Sequence, residues 1–285
     1  MEIPFELDLS DEVAVVTGGY GTLGSAFVKA LAKCGADVFI LGRNPEKGED
    51  VLNEILGEGI EADILKCDVL EGEDLKKARK IIKEDYGKNQ IDILINCAGG
   101  NHPDGTTSKE YFHEEDLKKE DVTTFFDLDK KGFGHVFDLN FMGTFLTIQV
   151  FAKDMIESDT ATIINISSMN AFTPLTKIPA YSGAKAAVSN FTKWLAVHFS
   201  PVNIRVNAIA PGFYLTEQNK ELLLNDDGSY TDRAQKILNH TPMNRFGKKE
   251  DLIGTLLWLV SKKGSDFVNG TVVPVDGGFS AYSGV

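Results

Sequence analysis

The sequence predicts an α/β fold: a single, doubly wound domain with a seven-stranded parallel sheet and helices on both faces. Seven short apolar segments alternate with segments of helical periodicity along the 285 residues, which is the order expected of consecutive βα units. Most of the short segments are almost continuous in Val, Ile and Leu, as strands buried on both faces are. No repeat or linker-like composition divides the chain. We therefore expect one domain over residues 1–285.

The elements follow in a regular order. The predicted strands are residues 13–17, 37–41, 61–69, 91–96, 161–167, 203–209 and 270–275. The predicted helices are residues 22–34, 46–57, 73–86, 135–157, 181–199 and 249–262. Two long polar segments interrupt the alternation, an insert at about 100–134 and a loop at about 211–248. Both follow the carboxyl ends of strands, where ligands bind in such sheets, so we expect them to cover a binding site.

Composition excludes several classes of partner. The chain has 29 basic and 42 acidic side chains and a net charge of −13, which argues against a nucleic acid or an anionic membrane surface. Its three cysteines and five histidines are scattered without metal-ligand spacing. We therefore expect no bound metal and no disulfide framework, and a cytoplasmic location. The first twelve residues lack the apolar core of a secretory signal, and no apolar run approaches the ~20 residues of a membrane helix.

A glycine-rich turn opens the first βα unit in "VAVVTGGYGTLG", residues 13–24. Such a turn presents backbone N–H groups and the positive end of a helix to a phosphate. A tight turn without a ligand is the plainer alternative. The position in the first unit favours a dinucleotide site.

The end of the second strand reads "LGRN". An acidic residue near this point would hold the adenosine ribose, but the chain has Gly42 and then Arg43. A guanidinium there can bind a 2′-phosphate, which favours NADP(H) and leaves NAD(H) as an alternative. Arg43 is otherwise a solvated residue before the helix start marked by Asn44 and a proline. Asp68, after the third strand, is placed either to accept from an adenine amino group or to cap a turn.

Tyr181 and Lys185 stand four residues apart in "PAYSGAKAAV". That spacing places both side chains on one face of a helix. An amphipathic helix with a solvated lysine is the plainer interpretation. In the catalytic interpretation, the ammonium and a cationic nicotinamide ring lower the pKa of the phenol from about 10 to about 7, a change of roughly 4 kcal/mol. Ser168 lies thirteen positions before Tyr181, after a buried strand.

Three further motifs carry polar or small residues at positions suited to a ligand. In "INCAGG", Asn96 is suited to satisfying adjoining strands, and Ala98 and Gly99 leave room for a flat ring. Asn140 is polar within an apolar helix, where it either satisfies the helix backbone or holds a proton-relay water. The segment "PGFYLT" (211–216) is suited to contacting a carboxamide.

In this order, the motifs resemble the short-chain dehydrogenase/reductase superfamily, from "VAVVTGG" to "VPVDGGF". The resemblance implies a Rossmann-type fold in which Tyr181 is the general acid/base, Lys185 its partner and a ligand of the nicotinamide ribose, Ser168 the hydroxyl that orients the carbonyl, and Asn140 the relay residue. The superfamily turn usually reads TGxxxGxG, whereas this chain has Thr22 at the sixth position. The resemblance places the cofactor against Gly18, Tyr20, Gly21, Thr22, Leu23, Gly24, Arg43, Asn44, Asp68, Val69, Asn96, Ala98, Gly99, Tyr181, Lys185, Pro211, Gly212, Phe213 and Thr216.

The finer resemblance is to short-chain-type D-mannonate oxidoreductases (fructuronate reductases), with gluconate 5-dehydrogenases as neighbours by chemistry. It implies a sugar-acid substrate and a homotetramer. A carboxylate substrate requires a cation in a protein of charge −13, and the candidates are Lys177 and Arg245, which are otherwise solvated surface residues. The other polar candidates for the substrate are Asn101, His102, Ser168, Asn170, Gln218 and Asn219. The rival interpretation from another class is a catalytically silent, cofactor-binding regulator.

Overall fold

Seven parallel strands form one sheet in the order β3-β2-β1-β4-β5-β6-β7. The computed structural model describes residues 6–57, 59–159, 161–216 and 219–284. The strands are β1 (Val13–Thr17), β2 (Asp37–Gly42), β3 (Ala62–Lys66), β4 (Ile93–Asn96), β5 (Thr162–Ile166), β6 (Arg205–Pro211) and β7 (Val272–Val275). All seven predicted strands are confirmed. The strand order reverses between β1 and β4, and this switch point is where such sheets bind ligands.

Helices cover both faces of the sheet, as predicted. They are α1 (Thr22–Lys33), α2 (Glu49–Leu56), α3 (Gly72–Glu84), α4 (Lys130–Phe137), α5 (Gly143–Phe151), α6 (Pro179–His198), α7 (Lys220–Leu223), α8 (Asp232–Asn239), α9 (Ile253–Val260) and α10 (Lys262–Ser265). One core cluster joins α1, α2 and α9 to the sheet, and a second joins α3, α5 and α6 to its other face. Along β1, Ala14 and Val16 belong to the first cluster and Val13 and Val15 to the second, because successive side chains of a strand point to opposite faces.

The helix predicted over 135–157 differs from prediction at its start, at its middle and at its end, where α5 stops at Phe151. It begins at Lys130 because the Asp129 carboxylate accepts a hydrogen bond from the Gly132 N–H and caps the first turn. Residues 130–134 therefore belong to a helix and not to the insert. A π-helical turn, Asp138–Met142, separates α4 from α5. The rest of the insert contains short 3-10 turns at 103–105, 114–118 and 125–127.

The two polar segments contact each other. The loop after β6 contains α7 and α8, which share a small apolar cluster with Phe246. Glu110 of the insert forms an ion pair with Lys236 of α8. The insert also reaches the segment before α6, where the Thr107 N–H donates to the Lys177 carbonyl at 2.9 Å. In the described parts of the chain, no helix combines the length and apolarity that a membrane crossing requires.

Candidate active site

A cleft of about 390 Å³ opens among the segments that follow the carboxyl ends of β1 to β6. Of the predicted cofactor residues, the cleft is lined by Gly18, Tyr20, Gly21, Thr22, Leu23, Gly24, Arg43, Asp68, Val69, Ala98, Gly99, Tyr181, Lys185, Pro211, Gly212, Phe213 and Thr216. The structure brings these residues together from six separate segments. Asn44 and Asn96 are not in the lining.

The glycine-rich turn is closed by its own backbone. Gly18 has φ +64°, a left-handed conformation that favours glycine, and a Cβ there would lie 3.0 Å from the Ala98 Cα. The Gly21 N–H donates to the Gly18 carbonyl at 3.0 Å. At Gly24 a Cβ would overlap that same carbonyl oxygen. The turn therefore leads into the amino end of α1 with little room for side chains, as a phosphate-binding turn requires.

Thr22 fits the turn although the superfamily pattern has glycine there. It is the first residue of α1, and Gly21 is the N-cap. Among the described residues, the non-glycine residues with positive φ are Lys177, Asn203 and Asn244. Thr22 therefore has an ordinary φ that does not require glycine.

The next cleft wall is formed by the ends of β2 and β3. Arg43 is exposed on the cleft. The Asp68 carboxylate accepts from the Leu70 N–H at 3.0 Å and so also caps a turn. The Asn44 N–H donates to the Tyr20 hydroxyl at 3.0 Å. Asn96 is buried, and its amide donates to the Asn165 side chain at 2.9 Å, so that it joins β4 to β5.

Three residues of the predicted catalytic set line the cleft. Ser168 follows β5 and accepts from the Asn170 N–H at 3.2 Å. Tyr181 and Lys185 lie on the first two turns of α6, which begins at Pro179. The Lys185 ammonium lies 5.6 Å from the centre of the Tyr181 ring. It donates to the Ile166 carbonyl at 2.7 Å, which fixes it beside the phenol.

The pKa values in this group differ from the prediction based on spacing. Burial raises the pKa of Tyr181 to about 12, while the Ser168 hydroxyl acts to lower it and Cys97 acts to raise it. Burial also lowers the pKa of Lys185 to about 8. The lowering of the phenol pKa expected from Lys185 and a bound cofactor together therefore stays a prediction, and in the protein alone the pKa moves in the opposite direction. Desolvation is the largest cause of both shifts, because it penalises the charged form of each side chain.

Asn140 lies in the π turn and is fully buried. Its amide nitrogen donates to the carbonyls of Gly100 and Val136, each at 2.7 Å, and its amide oxygen accepts from the Gly100 N–H at 3.1 Å. Asn140 thus satisfies helix backbone, as one of the two predicted alternatives had it, and also joins the helix to the turn after β4. A Cβ on Gly99 would lie 2.6 Å from the Asn140 Oδ1 and 3.3 Å from the Lys185 Nζ.

Several residues of the cleft were not among the sequence predictions. Cys97 lies between Asn96 and Ala98, and burial raises the pKa of its thiol to about 11, against the effect of Lys185. Each of the missed residues lies within one of the sequence motifs or a few positions from one, which is the signal that could have found them. They are Leu41, Gly42, Cys67, Cys97, Gly100, Leu139, Ile166, Ser167 and Tyr214.

Two of the predicted substrate residues, Asn101 and His102, lie within the insert. The Asn101 amide donates to Thr106 at 3.0 Å. His102 accepts from the Asp104 N–H at 3.3 Å and lies 5.4 Å from the ring of His135. Asn170 is buried beside Ser168, and within the described residues its Oδ1 has no hydrogen-bond partner.

The two predicted cations occupy different places. Lys177 has φ +73° and is bound to the insert through its carbonyl. The pKa of Glu110 is lowered, first by its hydrogen bond to Lys236 and further by the nearby charge of Lys177. Arg245 forms a two-bond ion pair with Asp251, at 2.6 and 3.3 Å, and lines a second cavity. Asn219 lines the main cleft, and Gln218 lies outside the described residues.

The family model described as short chain dehydrogenase matches residues 12–227. The chain belongs to this family, and it is an oxidoreductase that acts on CH–OH groups.

Three proteins are similar to this chain over almost its whole length. A provisionally named D-mannonate oxidoreductase of Haemophilus influenzae, crystallised with bound NAD, is 54% identical over 100% of both chains, with a TM-score of 0.93. An uncharacterized oxidoreductase of Bacillus subtilis is 51% identical over 99% of this chain and 100% of its own length. Gluconate 5-dehydrogenase of Gluconobacter oxydans is 31% identical over 98% of this chain and 99% of its own.

Proposed function

We propose that the protein interconverts D-mannonate and D-fructuronate with a nicotinamide dinucleotide. The observation that carries the chemistry is the grouping of Ser168, Tyr181 and Lys185 in a cleft that the glycine-rich turn also lines. The substrate is supported by the likeness to the Haemophilus protein. The rival, gluconate 5-dehydrogenase activity, is supported by the more distant Gluconobacter relative.

The residues of the cleft fit a dinucleotide. The turn at Gly18 and the amino end of α1 would hold the pyrophosphate, and the small residues Ala98 and Gly99 leave space beside Lys185. Bound there, the nicotinamide would supply or take up a hydride. We propose NAD(H) as the cofactor because the Haemophilus protein holds NAD. The preference for NADP(H) predicted from Arg43 has no support from that comparison.

Tyr181 is the proton donor when a ketone is reduced. The phenol, whose pKa burial raises in the protein alone, would give its proton to the ketone oxygen as the carbon receives hydride. Ser168 donates a hydrogen bond to the same oxygen and stabilises its developing charge. Lys185 keeps one N–H on Ile166, and its other two, which donate to no side chain or carbonyl in the described part of the chain, would bind ribose hydroxyls.

The substrate carboxylate binds Lys177. Arg245 already pairs with Asp251, so that its use would require breaking a two-bond ion pair. Lys177 lies between Ser168 and Tyr181 in the chain and has the strained backbone that is common in functional loops. The Asn170 Oδ1, for which the described part of the chain offers no hydrogen-bond donor, would accept from a substrate hydroxyl.

D-Mannonate and D-gluconate differ only in the configuration at C2, and in both proposed reactions the carbonyl forms at C5. The test is therefore a comparison of steady-state reduction of D-fructuronate and 5-keto-D-gluconate with NADH and NADPH. We expect kcat/KM for D-fructuronate to be greater by at least about tenfold, since a hydroxyl held by hydrogen bonds discriminates strongly. The opposite ranking would establish the gluconate activity, and no turnover of either acid would refute both.

Variants of the two cations test the carboxylate site. Lys177→Met should raise KM for the keto acid about tenfold or more, because it removes a charge-assisted hydrogen bond. Arg245→Met is the matched control and should leave KM within about twofold, as its partner is Asp251. A reversal of these two effects would place the carboxylate at Arg245.

A further inference from the structure

The side chain of Tyr20 fills the space that an acidic residue would occupy at the end of β2. Gly42 ends that strand, and a Cβ on it would overlap the Tyr20 ring, 2.6 Å from the hydroxyl oxygen. At Gly48 a Cβ would lie 3.0 Å from the Tyr20 Cβ and Cδ1. The ring is therefore packed between two glycines. An acidic side chain at position 42 would clash with Tyr20 in this position.

The hydroxyl of Tyr20 also engages a backbone donor that a phosphate would otherwise use. It accepts from the Asn44 N–H at 3.0 Å, next to the exposed Arg43 on the same cleft wall. A phenol has one proton to donate and two lone pairs. One lone pair of the Tyr20 hydroxyl accepts from the Asn44 N–H, so the hydroxyl proton remains available for an acceptor in the cleft.

We propose that Tyr20 determines the choice between NAD(H) and NADP(H), and that it favours NAD(H). This inference rests on the proposed use of a nicotinamide dinucleotide. The hydroxyl of Tyr20 donates to the ribose 2′-oxygen, which is the contact that a carboxylate on residue 42 would have made. By occupying the Asn44 N–H, it also withholds one of the donors that a 2′-phosphate needs, and so opposes the attraction of Arg43.

Tyr20→Phe separates the hydroxyl from the ring, since Phe keeps the packing between Gly42 and Gly48. The test titrates NADH and NADPH into each protein at fixed salt and measures Kd from the fluorescence of the dihydronicotinamide, without substrate. We expect Kd for NADH to rise about five- to tenfold through loss of one hydrogen bond. Kd for NADPH should stay the same or fall, because the Asn44 N–H is released. The ratio of the two constants therefore moves toward NADPH by about tenfold.

Two further variants check the assignment. Arg43→Leu, which removes the guanidinium, should raise the Kd for NADPH and leave the Kd for NADH within about twofold. The double variant Tyr20→Ala, Gly42→Asp places an acidic residue in the space that the ring leaves. It should bind NADH more tightly than NADPH.

The outcomes distinguish this inference from the proposed function. If the wild-type protein binds neither dinucleotide, the proposed function fails. If it binds them and Tyr20→Phe leaves the ratio of Kd values within twofold, the dinucleotide site stands and the role of Tyr20 is refuted.

Discussion

Replacing Asn140 with Ala tests whether this residue supports the fold of the site in addition to any part in proton transfer. The change removes three hydrogen bonds: a buried one donated to the Val136 carbonyl, and two partly buried ones with Gly100, donated to its carbonyl and accepted from its N–H. A net contribution of about 1 kcal/mol for each bond gives a loss of roughly 3 kcal/mol in the free energy of unfolding. That is a large share of the 5–15 kcal/mol typical of folded proteins.

The measurement is urea unfolding followed by circular dichroism, with all proteins at one concentration. Thr147→Val is the matched control, because its hydroxyl makes a single buried bond, to the Gly143 carbonyl at 2.7 Å, away from the cleft lining. It should lose about 1 kcal/mol or less. If Asn140→Ala proves as stable as this control while turnover falls, Asn140 serves the chemistry alone and its structural role is refuted.

Three other predictions concern the catalytic group. Tyr181→Phe should lower kcat by roughly 10³-fold, as loss of a general acid does, while the Kd for NADH by calorimetry changes less than about twofold; normal turnover would exclude the phenol. Ketone reduction should slow above pH 8, because the pKa of Lys185 is lowered to about 8 and the ammonium is lost as pH rises through it; a flat rate from neutral to strongly alkaline pH would contradict this. Gly99→Ala should reduce activity at least about tenfold, since its Cβ would press on Asn140. Gly134→Ala, whose Cβ would meet no described atom within 4 Å apart from the adjacent helix backbone, should leave activity unchanged, and equal effects of the two changes would contradict the steric argument.

The strands could be predicted well because burial dictates their composition. A parallel strand covered on both faces is continuous in apolar residues, and Val13–Thr17 has the predicted bounds. The motifs at the strand ends located most of the cleft for the same reason, since the carboxyl ends of parallel strands meet at one edge.

Other features depend on tertiary structure that one-dimensional patterns do not contain. The spacing of Tyr181 and Lys185 placed the two side chains correctly, but the sign of the shift in the phenol pKa depends on desolvation. Arg245 was a candidate for the substrate, and the structure pairs it with Asp251. Glu250 and Asp251 were equally available nearby in the sequence, so this pairing could not be chosen in advance.

The π-helical turn at Asp138–Met142 sets the rotational phase of the helix on either side of it. An α-helix turns about 100° per residue, and a π turn contains one residue more than the regular ladder needs. The half before the turn packs on α6 and on the insert, and the half after it packs on α3. Deleting one residue from this turn would give a straight, regular helix whose two halves are rotated about 100° out of register, so that only one of them could keep its packing partner.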